Sequence, residues 1–474
     1  MLRLGLSFFL VCSLIQAKGK PSFRAEPATE NGVPVSPKVF YEKNPSALTA
    51  EIGVVILVGS SDDPVDKVGL SNIVGEMVLR GTKKKSRQKF QSELERMGGS
   101  LSAVVSHDMI QFSGGVIKEN YKKFLVLLEE TLLHPAFSEK DFQELKREVL
   151  NDIAHVKNSN NRLGGLAARR EIFKGTSLER PVIGSKSTVE KITLADVQRR
   201  YNNIFDRPKI VFAAAAPFPE SEMNMEFSRI WRQFPDGNKP LKRQINLQIP
   251  DKPTLIVIDK PKTSTGSLFF AQAGISIQDP DRYTLSTGNF SFGGEPLVSR
   301  LFRIIRGELG WTYAIGSSYS SLGGLSNQKG IFSISSTPSV EFTSKTIFKT
   351  LEMWKSYQED GLSGDELDLA KDSLINSYPF EFETAEKRVA KKLSSFIYDV
   401  PILSSEEFSQ KIGDISNKKL KAALREKQKS NSWLIALVAD KEVVAKDLEE
   451  FQKDIPKEQR LTISKVYTPE ELIN

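Results

Sequence analysis

The chain carries the same pattern twice in the same order, and this repetition limits the folds open to it. Two strand patterns, TAEIGVVILVGS and SLFFAQAGISI, are each followed by a turn with aspartate and proline and then by a helical pattern. The segment FQSELERMGGSLSA from Phe90 matches FRIIRGELGWTYA from Phe302, which pairs Gly98 with Gly310. Further matches join FSEKDFQELKREVLNDI with LSGDELDLAKDSLINSY, and IVFAAAA with LIALVAD. The shared order predicts an internal duplication.

The duplication predicts an α+β fold of two homologous halves, each a mainly antiparallel β-sheet packed with α-helices. We expect residues 38–238 to form the N-terminal half and residues 253–474 to form the C-terminal half. The charged, proline-containing stretch 239–252 is predicted to be the linker between them. Residues 18–37 are polar and rich in proline, which is typical of a flexible leader.

The first residues, MLRLGLSFFLVCSLIQAKGK, have the pattern of a secretory signal peptide. Arg3 precedes an apolar run from Leu4 to Ile15, and cleavage is expected near Ala17, so we expect residues 1–17 to be removed and the chain to be exported to the periplasm. The run is too short to span a membrane, which predicts no transmembrane segment in the mature chain. Cys12 is the only cysteine and lies within the run, so a lipid anchor at Cys12 is the alternative.

Charge is spread along the chain rather than concentrated in one region. The 66 basic and 59 acidic residues give a formal net charge of +7. No stretch interleaves basic and aromatic residues, as a nucleic-acid interface would require. We therefore expect no nucleic-acid partner, and the lysine cluster at residues 83–85 suits a solvated helix end.

The segment GLSNIVGEMVLRGT, residues 69–82, has the apolar spacing of an amphipathic helix. Its polar or small residues Asn72, Gly75 and Glu76 are predicted to lie on a face away from the core. The predicted core-facing stripe consists of Leu70, Ile73, Val74, Met77 and Val78. In zinc proteases of the inverted type, such a helix carries His-x-x-Glu-His, with two metal-binding histidines and a glutamate as general base.

This segment resembles the first helix of the pitrilysin/insulinase family of zinc metallopeptidases, in particular mitochondrial-processing-peptidase-like members. The family line G-L-A-H-F-L-E-H-M-x-F-x-G-T lies over residues 69–82 without a gap. The resemblance places Asn72 and Glu76 at the two zinc histidines, Gly75 at the catalytic glutamate, and Asp152 at or beside the third ligand. An amide is a poor zinc ligand and glycine cannot transfer a proton, so we expect no metal and no catalytic residue in this chain. The alternative is a hard cation held by oxygens of Asn72, Glu76 and Asp152.

Other reactive residue types do not predict a relocated site. The histidines His107, His134 and His155 lack metal-ligand spacing. No Gly-x-Ser-x-Gly turn occurs between a predicted strand and helix, and no cysteine would remain in the mature chain. We therefore expect no serine or cysteine nucleophile.

The stretch NFSFGGEPLVSRLFRIIRGELGWTYAIGSSYS resembles the family's second-half line L-G-G-G-x-x-S-R-L-F-x-x-I-R-E-x-x-G-L-A-Y-x-V. In the family, an arginine and a tyrosine seven residues apart hold the substrate backbone, from the second half or from a partner chain. The resemblance assigns these roles to Arg306 and Tyr313, whose side chains can donate to peptide carbonyls and to a developing oxyanion. In the alternative, Arg306 pairs with an acid and Tyr313 packs in a core. The residues in register are Ser299, Arg300, Leu301, Phe302, Arg306, Gly310 and Tyr313.

The resemblance therefore implies a non-catalytic subunit of a heterodimeric zinc peptidase. A homologous catalytic chain with His-x-x-Glu-His would carry the zinc, and this chain would bring Arg306 and Tyr313 to a shared peptide substrate. No cofactor is expected on this chain. The alternative is a peptide-binding or structural scaffold of the same fold with no role in proteolysis.

Overall fold

The computed structural model describes residues 29–30, 33–34, 36–241, 243–321, 328–457 and 460–474. The predicted signal peptide and most of the predicted leader lie outside these residues, so both stay predictions. Within the leader the structure describes two short strands, β1 (Thr29–Glu30) and β2 (Val33–Pro34), which pair antiparallel.

The first half contains a five-stranded sheet with the order β3-β7-β4-β6-β5. Only β3 and β7 run parallel, and the other neighbours are antiparallel. The strands are β3 (Lys38–Lys43), β4 (Thr49–Ile56), β5 (Ser100–Val105), β6 (Ile110–Ile117) and β7 (Ile210–Ala216).

The second half contains a six-stranded sheet with the order β10-β11-β9-β12-β8-β13. Strand β8 runs parallel to both of its neighbours, and the other pairs are antiparallel. The strands are β8 (Thr254–Asp259), β9 (Ser267–Ala273), β10 (Thr312–Ser320), β11 (Ile331–Pro338), β12 (Leu434–Ala439) and β13 (Ile463–Tyr467).

The two sheets repeat one topology, which confirms the predicted fold class. Strands β8 to β12 occupy the same positions in their sheet as β3 to β7 occupy in the first, and β13 is an addition at one edge. The matched glycines agree as well. Gly98 and Gly310 precede β5 and β10 and have φ of 61° and 67°, a left-handed conformation that favours glycine.

Sixteen α-helices connect and cover the strands of the described residues. Those of the first half are α1 (Leu70–Val78), α2 (Arg87–Arg96), α3 (Tyr121–Leu133), α4 (Glu139–His155), α5 (Asn160–Ile172), α6 (Lys186–Val189), α7 (Leu194–Ile204) and α8 (Glu220–Trp231). Those of the second half are α9 (Arg282–Asn289), α10 (Thr343–Asp360), α11 (Gly364–Ser377), α12 (Ala385–Tyr398), α13 (Ser405–Gly413), α14 (Asn417–Lys427), α15 (Lys441–Phe451) and α16 (Pro469–Ile473). Two π-helical segments, Phe290–Gly294 and Phe302–Glu308, follow α9.

One helix of each half packs against the sheet of the other half. Helix α5 packs its buried Leu163 and Ala167 against β9 and β12 of the second sheet. Helix α12 packs its buried Val389 and Leu393 against β3 and β7 of the first sheet. One face of each sheet is therefore covered by its own half and part of the other face by the opposite half, so the halves interlock.

The predicted domain bounds stay predictions. Between Trp231 and Thr254 the described residues form no helix or strand.

Candidate functional site

Helix α1, which carries the positions equivalent to a zinc motif, is fixed at its start by a buried aspartate. The Asp63 carboxylate accepts hydrogen bonds from the backbone N–H groups of Gly69 and Ser71, each at 3.1 Å. Arg200 lies 3.6 Å from the same carboxylate. Burial raises the pKa of Asp63 despite these partners. Gly69 has φ of 99°, and a Cβ there would lie 2.6 Å from the Ile183 carbonyl oxygen, so the turn requires glycine.

The apolar stripe of α1 lies in the first-half core as predicted, but the prediction for Gly75 is wrong. Asn72 and Glu76 are half-buried, whereas Gly75 is buried and faces the sheet. A Cβ on Gly75 would lie 2.8 Å from Cγ2 of Val105 in β5 and 3.4 Å from Cγ2 of Ile110 in β6. Glycine has no side chain to add to the hydrophobic pattern, so spacing alone could not place it. Val105 and Ile110 therefore pack into the space that a side chain would need at position 75, the position equivalent to the catalytic glutamate.

The remaining metal-site positions are divided between two neighbouring helices. Asn72 and Glu76 are on α1, and Asp152 is exposed near the end of α4, which packs against α1. Within the part of the chain that the structure describes, no group of three or more His, Cys, Asp or Glu side chains could hold a metal. Two carboxylates and one amide make a weak donor set even for a hard cation.

The three histidines lie apart in the fold. His107 is in the turn between β5 and β6, and its Nε2 lies 3.0 Å from the Arg180 carbonyl oxygen. Burial, followed by the charge of Arg169, lowers the pKa of His107 to about 4. His107 is therefore neutral at pH 7, and its neutral Nε2–H can donate to that carbonyl. His134 and His155 are exposed at the ends of α3 and α4.

The second-half motif divides into a structural part and an exposed part. Arg300 donates from Nε to Glu366 at 3.0 Å and from Nη2 to the Gly361 carbonyl at 3.1 Å, which ties the motif to the start of α11. Arg306 is exposed on the second π-helical segment, 5.8 Å from the ring centroid of Phe302. Within the described residues it makes no ion pair. Tyr313 is 83% exposed. The alternative in which Arg306 pairs with an acid and Tyr313 packs in a core is therefore wrong.

Tyr313 lies at an irregularity in an edge strand. The register of β10 with β11 shifts between Thr312 and Ile315, so Tyr313 and Ala314 are outside the regular ladder. Thr312 donates from Oγ1 to the Ala314 carbonyl at 2.8 Å, which shapes the local bend. Such a bulge redirects the side chain of an edge residue. The structure thus places Arg306 and Tyr313 on consecutive exposed elements of the second half, while Asn72, Glu76 and Asp152 belong to the first.

The fold is an α+β protein of two homologous halves. Its helix α1 occupies the place of the helix that carries an inverted zinc motif, but the zinc-ligand residues are missing from it. Comparison with known families gives the class. The family described as insulinase, peptidase family M16, matches residues 38–186, and the one described as peptidase M16 inactive domain matches residues 191–374. The chain belongs to peptidase family M16.

Individual relatives agree with this assignment. The chain is 23% identical over 406 residues to the "non-peptidase homolog YmxG" of Helicobacter pylori, spanning 85% of this chain and 92% of that protein. It is 22% identical over 362 residues to the "uncharacterized zinc protease YmxG" of Bacillus subtilis, spanning 76% and 85%. A crystal structure of a peptidase M16 inactive domain from Pseudomonas fluorescens has a TM-score of 0.78 at 21% identity, covering 85% of this chain and 96% of that one. The descriptions "non-peptidase homolog" and "inactive domain", together with the missing ligand residue types, are consistent with an inactive member of the family.

No helix within the described ranges combines the length and apolar character needed to cross a membrane.

Proposed function

We propose that the chain is the non-catalytic subunit of a two-chain zinc peptidase and presents Arg306 and Tyr313 to a peptide held against a homologous catalytic chain. One observation carries the proposal. These two side chains are exposed, and Arg306 has no ion-pair partner among the described residues, whereas the position equivalent to a catalytic glutamate, Gly75, is closed by Val105. Zinc would belong to the partner, whose His-x-x-Glu-His would supply the chemistry.

The surroundings of Tyr313 support a role in peptide binding. Strands β10 and β5 are the edges of their sheets as described, and an extended peptide binds such an edge through backbone hydrogen bonds. The Arg306 guanidinium and the Tyr313 hydroxyl would then donate to peptide carbonyls beside β10. Neither side chain is needed for packing there, because each is exposed.

The test is an assay of a homologous His-x-x-Glu-His chain on a quenched fluorescent peptide library, alone and mixed with this chain. We expect cleavage only in the mixture, and its loss when a zinc chelator is added. Arg306→Ala and Tyr313→Phe should each lower kcat/KM by about tenfold or more, as expected for hydrogen bonds to a charged or polarised group. Arg303→Ala is the matched control, because Arg303 is exposed on the same π-helical segment and, within the described residues, pairs only with Glu308, at 2.8 Å.

Two outcomes would favour the scaffold function instead. One is a catalytic chain that is fully active alone and gains nothing from the mixture. The other is a mixture whose activity is unchanged by both Arg306→Ala and Tyr313→Phe. In either case direct binding of unlabelled peptides to this chain would decide between a peptide-binding and a purely structural role.

We also propose export to the periplasm. The pattern of residues 1–17 supports it. Mass spectrometry of the chain from fractionated cells should find a mature N-terminus at Lys18 in the periplasmic fraction. A chain found with the membrane and released by Cys12→Ser would support the lipid-anchored alternative, and an intact Met1 in the cytoplasm would contradict both.

A further inference from the structure

A cavity of about 370 Å³ lies where the two halves meet. Helix α5 of the first half forms one wall with Gly165, Leu166 and Arg169, and the second sheet forms another with Phe269 and Ile331. Leu472 of the C-terminal helix α16 also lines it. Its volume is within the range of small-molecule sites, about 300–1,000 Å³, and its walls are mainly apolar with few polar groups, as such sites usually are.

Two arginines, Arg162 and Arg169, line the cavity without a carboxylate partner among the described residues. Arg169 is half-buried, and its Nη1 donates to the Leu178 carbonyl at 3.0 Å and lies 3.5 Å from Nε2 of His107. Its Nε and Nη2 have no hydrogen-bond partner within the described ranges. Arg162 is exposed and has no side-chain partner there either.

A half-buried guanidinium without a counter-charge is costly, because burial disfavours the charged form. Burial accordingly lowers the pKa of Arg169, and no acid in the described part of the chain raises it again. Two other partly buried arginines do have acids: Arg200 is close to Asp63, and Arg243 is 2.8 Å from Asp108. The buried Arg282 donates instead to the Ile277 carbonyl. An anion in the cavity would supply the charge that Arg169 lacks, and a carboxylate matches the paired N–H groups of a guanidinium.

We propose that the cavity binds a small monocarboxylate with an apolar body, its charged end held by Arg169 and its apolar part by Leu166, Phe269 and Ile331. This site is separate from Arg306 and Tyr313, and it requires no peptidase partner. Two sources supply such a ligand: a free medium-chain fatty acid, or the carboxyl terminus of a peptide that ends in apolar residues.

Calorimetric titration of the full-length chain tests the proposal with two matched pairs of probes. Octanoate is compared with octanol, and N-acetyl-Leu-Leu with its C-terminal amide. We expect the carboxylate of at least one pair to bind about tenfold or more tightly than its neutral analogue, because charge-assisted hydrogen bonds are the stronger ones. The pair that shows this preference identifies the source.

Two substitutions locate the binding in this cavity. Gly165→Leu places a side chain in the cavity from a helix position where a Cβ would meet nothing within 4 Å, so it should fold normally and abolish binding. Arg169→Gln should remove the preference for the carboxylate, whereas Arg147→Gln, an exposed arginine of α4, should leave it unchanged. Thermal unfolding followed by circular dichroism verifies that each variant is folded.

The proposal is overturned if neither carboxylate binds at millimolar concentration, or if both neutral analogues bind as tightly as the acids. It is also overturned if folded Gly165→Leu binds like the unmodified chain. None of these results bears on cleavage by a two-chain peptidase, so failure here is distinct from failure of the proposed function.

Discussion

Replacing Gly75 by alanine tests how closely α1 packs on the sheet. In a helix interior alanine is more favourable than glycine by about 1 kcal/mol. The new Cβ would, however, lie 2.8 Å from Cγ2 of Val105, closer than van der Waals contact allows. Val105 is β-branched and can turn aside only with difficulty, so overpacking should cost about 1–3 kcal/mol. We expect Gly75→Ala to lower the free energy of unfolding by about 1 kcal/mol, net of the gain in helix propensity.

The matched control is Gly165→Ala in α5. A Cβ there meets nothing within 4 Å, so only the propensity term acts and the free energy of unfolding should rise by about 1 kcal/mol. Urea unfolding followed by circular dichroism measures both variants. In a Val105→Ala background the Gly75→Ala change should become stabilising, because the obstructing methyl is gone; the double-mutant cycle then gives a coupling of about 2 kcal/mol. If Gly75→Ala stabilises the chain equally in both backgrounds, α1 does not approach β5 as closely as the structure shows.

Three further predictions concern stability. His107 has its pKa lowered from 6.5 to about 4, so it stays neutral in the folded chain and stability is lost as the pH falls from about 6.5 through about 4. Between pH 7 and pH 5 the free energy of unfolding, measured with urea, should fall by at most about 2 kcal/mol because of His107. His107→Gln should make this fall smaller, whereas the exposed control His134→Gln should not. Leu163→Ala and Leu393→Ala, in the two exchanged helices, should each cost about 2–5 kcal/mol and lower hydrogen-exchange protection in the sheet of the opposite half. Asp63→Ala removes the acceptor for two backbone N–H groups at the start of α1 and should cost about 1–3 kcal/mol, with the first loss of exchange protection in α1.

Sequence predicted the elements and their repetition because these depend on local patterns. The strands at Thr49–Ile56 and Ser267–Ala273 are apolar runs bounded by turns, and the paired Gly98 and Gly310 mark equivalent turns. The exchange of α5 and α12 was not predictable in this way, since an apolar helix face does not show which sheet it covers. The additional strand β13 lies outside the repeated segments, so the duplication contained no indication of it.

For the candidate site, the sequence showed which residue types occupy the key positions, but not how buried they are or what they contact. The loss of zinc-ligand types at Asn72 and Gly75 is visible in the sequence, but the contact that closes position 75 depends on Val105 of another element. Likewise, the resemblance singled out Arg306 and Tyr313, and only the structure shows their exposure. The cavity arginine Arg169 had no motif to mark it. Arg169 stands out because no acid among the described residues lies near its side chain. Such a distance depends on three-dimensional packing and cannot be inferred from the sequence.

The interlocked fold offers a physical reason for a chain to keep a half whose metal ligands are missing. Helix α5 belongs to the first half, yet its Leu163 and Ala167 cover β9 and β12 of the second sheet. Without the first half, that apolar face would be exposed to water, at a cost of roughly 25 cal/mol per Å². The second sheet includes β10, the strand that presents Tyr313. The first half therefore stabilises the sheet that carries Tyr313, even though the zinc-ligand residue types are missing from its first helix.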